Sequence, residues 1–292
     1  VSEVRLTQLV QAGGCARKLP AEDLAEVLKQ IPGFSHPWVS DATGPMDDAA
    51  LVMPDASGRA LVMTIDIITP IVDDPELFGR IAAANAISDV YAMGGKPEVA
   101  LSFVGMPEAL GLDVLAKVLG GGSAKAHEAG CAIVGGHSIR DVEPKFGLAV
   151  IGSVNASEAW THRRGKAGQK LVLTKPLGVG VLVQAHRAGK VDAGAFERAT
   201  GWMQRLNQMA ADAGRRHGAT AATDVTGFGL TGHVHHLAQS SGVAARIELG
   251  KVPIMDGALE AACAGLVPGG SHRNKRYVAG HLRNTEGAHP DL

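Results

Sequence analysis

The chain reads as an α/β or α+β protein in two parts. Short apolar runs alternate with segments of helical periodicity along most of its 292 residues. A stretch at 155–169 carries Arg, Lys, His and Gly with few large apolar residues, and marks a boundary between the parts. With 46% hydrophobic residues but only 4% aromatic ones and 38 glycines, the core must be built from Ala, Val, Leu and Ile between tight turns.

Taken in order, Pro20 to Ile31 predicts a helix, with Leu24, Val27, Leu28 and Ile31 on one face and Pro32-Gly33 ending it. Ala49 to Met53 and Ala60 to Ile65 read as strands, the second ending on Asp66. Pro75 to Met93 is the clearest helix: Asp74 can cap it, Pro75 suits its first turn and Gly94-Gly95 stops it. On that helix Asn85 and Asp89 stand four residues apart and share a face otherwise rich in Ala and Ile. Strands follow at 99–104, 132–134 and 148–154, with a helix at 112–128. In the second part, strands are expected at 170–174, 220–223 and 243–249, with helices opening after Gly178-Val179-Gly180 and at Gly227-Phe228-Gly229. From Pro268 onward no core element is expected.

Composition excludes several functions. A formal charge of −1 makes no case for nucleic acid or an anionic membrane. Cys15, Cys131 and Cys263 are odd in number and far apart, which suits neither a disulfide framework nor a zinc knuckle. With no secretory leader and no apolar run of spanning length, a cytoplasmic protein is expected.

Two groups of residues could carry chemistry. In Gly13-Gly14-Cys15-Ala16-Arg17-Lys18 a thiol stands three residues before an ammonium group on a loosened backbone, and nearby positive charge favours the reactive thiolate. Read alone, Cys15 better fits a small buried hydrophobe, the reading also given to Cys131 and Cys263. Asp48, Asp66, Asp89 and Asp224 fall at strand edges or on an apolar helix, where a carboxylate needs a partner. Singly, each fits a cap or turn. As a set beside Asn85 they suit Mg²⁺, which takes a few carboxylates and completes its shell with water and phosphate oxygens. Gly135-Gly136-His137-Ser138 and Gly178-Val179-Gly180 are turns that could present N–H groups to phosphate, although no P-loop is present. His233, His235 and His236 lack a chelating spacing and read as an exposed helix face.

The chain resembles the selenophosphate synthetase (selenide, water dikinase) family from Arg5 to about Asn274. The resemblance rests on Gly14-Cys15 with Lys18, Asp47-Asp48-Ala49-Ala50, Asn85-Ala86-Ile87-Ser88-Asp89, Gly135-Gly136-His137-Ser138, Leu173-Thr174-Lys175-Pro176-Leu177-Gly178 and Thr223-Asp224-Val225-Thr226-Gly227-Phe228-Gly229. It implies the two-domain fold of the aminoimidazole ribonucleotide synthetase superfamily, with N-terminal sheets paired in a homodimer and ATP at the interface. The implied reaction turns ATP, selenide and water into selenophosphate, AMP and orthophosphate. By resemblance, Cys15 and Lys18 fall on the reactive cysteine and essential lysine, and Asp48, Asp89 and Asp224 on the Mg²⁺ ligands. Asp47, Asp66, Gly136, His137 and Ser138 fall on positions close to ATP, the last three serving a neighbouring subunit's nucleotide. The chain then divides into a mobile arm (1–18), an ATP- and metal-binding dimerisation domain (19–155) and a C-terminal domain (156–292). A monovalent cation and a selenium-delivery protein are further partners that the resemblance allows. Arg17 stands where many members carry a second cysteine, and the chain stops just before a segment those members share, so the C-terminal domain is expected to be incomplete. Another ATP-using enzyme of the superfamily, or a non-catalytic nucleotide-binding relative, is the alternative.

Overall fold

The computed structural model describes residues 5–14, 26–27, 29–31, 36–40, 43–44, 47–53 and 55–283. Its organising element is a five-stranded sheet of β1 (Ala50–Val52), β2 (Arg59–Ile68), β3 (Lys96–Met106), β4 (Ala132–Arg140) and β5 (Lys145–Asn155). The strands lie in the order β1-β2-β5-β3-β4. All neighbours are antiparallel except β3 and β4. A parallel pair needs a long crossover, and helix α2 (Gly111–Glu128) supplies it.

Helix α1 (Pro75–Ala92) begins as its sequence predicts, with Asp74 Oδ1 accepting from the Leu77 N–H at 2.6 Å. Unlike a surface helix, it is buried nearly all round, because the sheet, α2 and the C-terminal helices enclose it. Phe78, Ile81, Ile87 and Val90 therefore all reach core. Helices α1 and α2 cross in near backbone contact: a Cβ on Gly79 would sit 2.0 Å from the Val118 carbonyl oxygen, and one on Gly121 2.0 Å from that of Glu76.

The second part is helical among the described residues. Its elements are α3 (Val179–Arg187), α4 (Ala193–Gln204), α5 (Gln208–Arg216), α6 (Gly229–Ser241), α7 (Ala258–Cys263) and α8 (Gly269–Val278). Strands expected at 170–174, 220–223 and 243–249 are not formed. Their apolar residues find no hydrogen-bonded ladder, and Leu171 and Val172 are 53% and 80% exposed. Among the described residues of this part, one isolated bridge, Leu177 to Ile254, is the pairing present.

Four further expectations are corrected. Asp66 lies inside β2 rather than at its end, and Gly135 to Ser138 lie inside edge strand β4 rather than in a turn. Hydrogen bonding to β3 carries β4 through that glycine pair, and a Cβ on Gly136 would meet the Ser102 carbonyl oxygen at 2.2 Å. Helix α8 forms where no element was expected, because packing overrides its two starting glycines: Val278 is buried and Asn274 Nδ2 donates to the Gly227 carbonyl at 2.8 Å. Cys263, at the last turn of a short helix, is exposed, whereas Cys131 is core as expected. Of the helix at 20–31, only part lies within the described residues, and Glu26–Val27 is helical. No helix among the described residues is long and apolar enough to cross a membrane.

Candidate functional site

The site is built between β2 and α1, with the C-terminal part closing it. Side chains alternate along a strand and recur every four residues on a helix. Thr64 and Asp66 thus face α1 together and meet Asp89 and Asn85: Thr64 Oγ1 donates to Asp89 Oδ2 at 2.5 Å, and Asn85 Nδ2 donates to Asp66 Oδ2 at 2.6 Å. Asp48 approaches from just before β1, and Asp224 from the irregular segment that precedes α6.

One carboxylate oxygen from each of Asp48, Asp89 and Asp224 lies within 4.8 Å of the others. These are three of the four aspartates singled out above, brought together from positions 41 and 135 residues apart (89 − 48 and 224 − 89). Burial, then the charges of Asp224 and Asp66, raise the Asp89 pKa well above the usual carboxylate range. Burial likewise raises that of Asp48, against the opposing pull of His162. Clustered, desolvated carboxylates of this kind are relieved by a cation, and oxygen donors suit Mg²⁺, Mn²⁺ or Ca²⁺. Asp48 Oδ2 is buried without a hydrogen-bond partner, leaving a lone pair for such an ion.

Around Asp48 stand residues to which the sequence reading gave no role of their own. His162, 1% exposed, brings Nε2 to 3.4 Å from Asp48 Oδ2, an ion-pair distance off the line of a hydrogen bond. Burial disfavours its charged form, but Asp48 and Asp47 outweigh burial, and its pKa rises. Thr223 Oγ1 donates to Asp48 Oδ1 at 3.0 Å. The His233 and His236 side chains, expected on an exposed face, are buried instead, since the 220s segment and α8 pack over that side of α6. No spacing in the sequence signals His162; Thr223 could have been found from its place beside Asp224.

Lys175, noted only as part of a motif, is partly buried and donates to the Arg205 carbonyl at 2.5 Å. Burial lowers its pKa to about 8, and the nearby charge of Asp224 opposes that fall.

The remaining predicted residues are placed otherwise. Both Asp47 oxygens accept backbone N–H groups, from His162 at 2.6 Å and Gly44 at 2.7 Å. Gly136, His137 and Ser138 sit on β4, at the opposite edge of the sheet from β1 and so away from Asp48. Cys15 and Lys18 lie outside the described residues.

Comparison with known proteins decides the family. Residues 46–154 match the AIR synthase related protein N-terminal domain, and residues 166–272 the corresponding C-terminal domain. The selenide, water dikinase of Carboxydothermus hydrogenoformans is 43% identical over 96% of this chain and 81% of its own length. That of Myxococcus xanthus is 44% identical over 97% of this chain and 81% of its own. The chain belongs to the selenide, water dikinase family. Members of this family are phosphotransferases, and the two-domain fold expected of them is the one observed. Among solved structures, thiamine-monophosphate kinase from Aquifex aeolicus aligns with a TM-score of 0.67 at 20% identity, covering 88% of this chain and 83% of that one. The hydrogenase maturation protein HypE in complex with ATP aligns at 0.62 and 22% identity, covering 78% and 70%. These two likenesses show the fold.

Proposed function

We propose that the chain catalyses ATP-dependent formation of selenophosphate from selenide and water, releasing AMP and orthophosphate. The observation that carries this reading is the convergence of Asp48, Asp89 and Asp224 within 4.8 Å in a chain that resembles selenide, water dikinases over nearly its whole length. Those three carboxylates hold Mg²⁺, which when bound neutralises phosphate charge and orients the triphosphate. Phosphoryl transfer asks the protein mainly for position and charge, and the family resemblance assigns the rest of that work to Lys18 on the phosphates and Cys15 at the selenium nucleophile. Of the three phosphoryl groups of ATP, one passes to selenium, one to water and one stays on AMP, which balances the three products.

Nucleotide binding engages Asp47 and Asp66 from this subunit and Gly136, His137 and Ser138 from a partner. The second subunit covers the sheet face that α1 and α2 leave bare. There Ile65, Ala149 and Leu101 stand in register across three strands, with Ile65 65% and Leu101 51% exposed.

Phosphorus NMR of ATP with and without selenide tests the reaction. Selenophosphate, AMP and orthophosphate should appear together and only with selenide; ATP consumption indifferent to selenide would favour another kinase of the superfamily. Replacing Cys15 by Ser should abolish selenophosphate formation, and undiminished selenide-dependent turnover would remove the thiol from the mechanism.

A further inference from the structure

We infer that His233 is a positioning residue, which fixes the orientation of Asp48 through the hydroxyl of Thr223. The inference rests on the reading of Asp48 as a cation ligand and extends it to the groups behind that ligand. A backbone N–H can only donate. The Thr226 N–H points at His233 Nε2 from 3.1 Å, so Nε2 must carry the lone pair. The neutral ring then bears its proton on Nδ1, which lies 3.1 Å from Thr223 Oγ1. Receiving that proton's hydrogen bond, the Thr223 hydroxyl turns its own hydrogen outward. Two acceptors are in reach, Asp48 Oδ1 at 3.0 Å and the Asp224 carbonyl at 3.4 Å, and the shorter contact to a carboxylate prevails.

The direction of every hydrogen bond in the chain Thr226 N–H, His233, Thr223, Asp48 thus follows from one backbone amide. Packing keeps the ring from turning: His233 is 6% exposed and its ring lies 5.6 Å from that of Phe228. Such a relay spends one lone pair of Asp48 Oδ1 and holds the carboxylate at a set rotation. Hydrogen-bond partners behind metal ligands typically change affinity by about 10- to 100-fold when removed. The relay also joins the two parts of the fold, since Asp48 precedes β1 while Thr223 and His233 lie in the C-terminal part.

The full chain, labelled with ¹⁵N-histidine, tests the tautomer directly by long-range ¹H–¹⁵N correlation. The signals lost in His233→Asn should show a pyridine-type Nε2 and a pyrrole-type Nδ1; a proton on Nε2, or an imidazolium, overturns the inference. Binding of Mn²⁺ to the metal-free chain, followed by electron paramagnetic resonance, supplies the second arm. Asn places its amide N–H₂ where Nδ1–H stood, whereas Gln places its amide at Nε2. His233→Gln and Thr223→Val should therefore weaken Mn²⁺ binding by about tenfold. His233→Asn and Thr223→Ser should stay within about threefold of the unmutated chain. A structural role alone would make both His233 variants equally poor, and equal affinities across the series overturn the inference. Failure of the unmutated chain to bind Mn²⁺ overturns the cation reading of the three aspartates, and this inference with it. Should a variant fail to fold, the tautomer measurement on the unmutated protein decides.

Discussion

Asp89 shows how the site is held at the scale of one residue. Its carboxylate gains a hydrogen bond from Thr64, yet burial and the neighbouring carboxylates raise its pKa. A folded-state pKa above the unfolded value means that the contribution of Asp89 favours the fold most at acid pH, and is lost as pH rises past 3.8 toward the folded value. At neutral pH the cluster therefore opposes folding, and a bound cation would relieve it. Asp89→Asn should raise the thermal midpoint of the metal-free protein by a few degrees, corresponding to about 1–2 kcal/mol, and should remove the further rise on adding Mg²⁺. Calorimetry with chelator and with Mg²⁺ checks both halves; a destabilised, still Mg²⁺-responsive variant would defeat the argument. The three clustered aspartates were legible in the sequence because each stands where a lone carboxylate is costly. Asp66 was legible for the same reason, yet its carboxylate meets Asn85. Distance, and not residue type, separates the two outcomes.

Elements followed the sequence wherever local signals and tertiary context agreed. Helix α1 has its cap, its proline and its terminal glycines, and it forms to within one residue of the span those signals predict. The expected strands of the second part failed because alternation marks residues that suit a strand without supplying a neighbour to pair with. Helix α8 succeeded against a poor beginning because Val278, Asn274 and Tyr277 find partners on other elements; Tyr277 meets His236 Nε2 at 3.2 Å. The crossing of α1 and α2 gives a prediction of its own. Gly121→Ala would place a methyl against the Glu76 backbone and should cost about 2 kcal/mol of stability by urea denaturation. A neutral effect would mean that the helices can separate without loss.

At the scale of the molecule, the C-terminal part contributes Asp224, Thr223 and the buried histidines, so the site forms only when both parts are docked. His236 reports on that packing. Burial first, then the charges of His235 and His162, lower its pKa from 6.5 to about 4. The unfolded chain takes up this proton near 6.5 and the folded one only near 4, so the contribution of His236 to stability is full above pH 6.5 and falls as pH drops through that window. By urea denaturation, the stability lost between pH 7 and pH 5 should be roughly 2 kcal/mol greater in the unmutated chain than in His236→Gln. A second prediction concerns the bare sheet face. Ile65→Lys, placed where Ile65, Ala149 and Leu101 align, should turn a dimer into a monomer by light scattering while leaving far-ultraviolet circular dichroism unchanged. An unmutated chain that is already monomeric would remove the proposed partner.

By itself, the sequence determined the family, the two-part α/β plan, the capped helix α1 and the identity of the three aspartates that meet. Each of these is written in local spacing or in ordered motifs. Only the tertiary structure decided that Asp47 secures backbone amides, that Gly136 to Ser138 lie on the far edge of the sheet, and that His162 and His233 stand behind Asp48. The physical reason is range. Caps, turns and periodicity act within a few residues, whereas Asp48 meets Thr223 across 175 positions of chain, a distance over which no local preference can say which side chains will face each other.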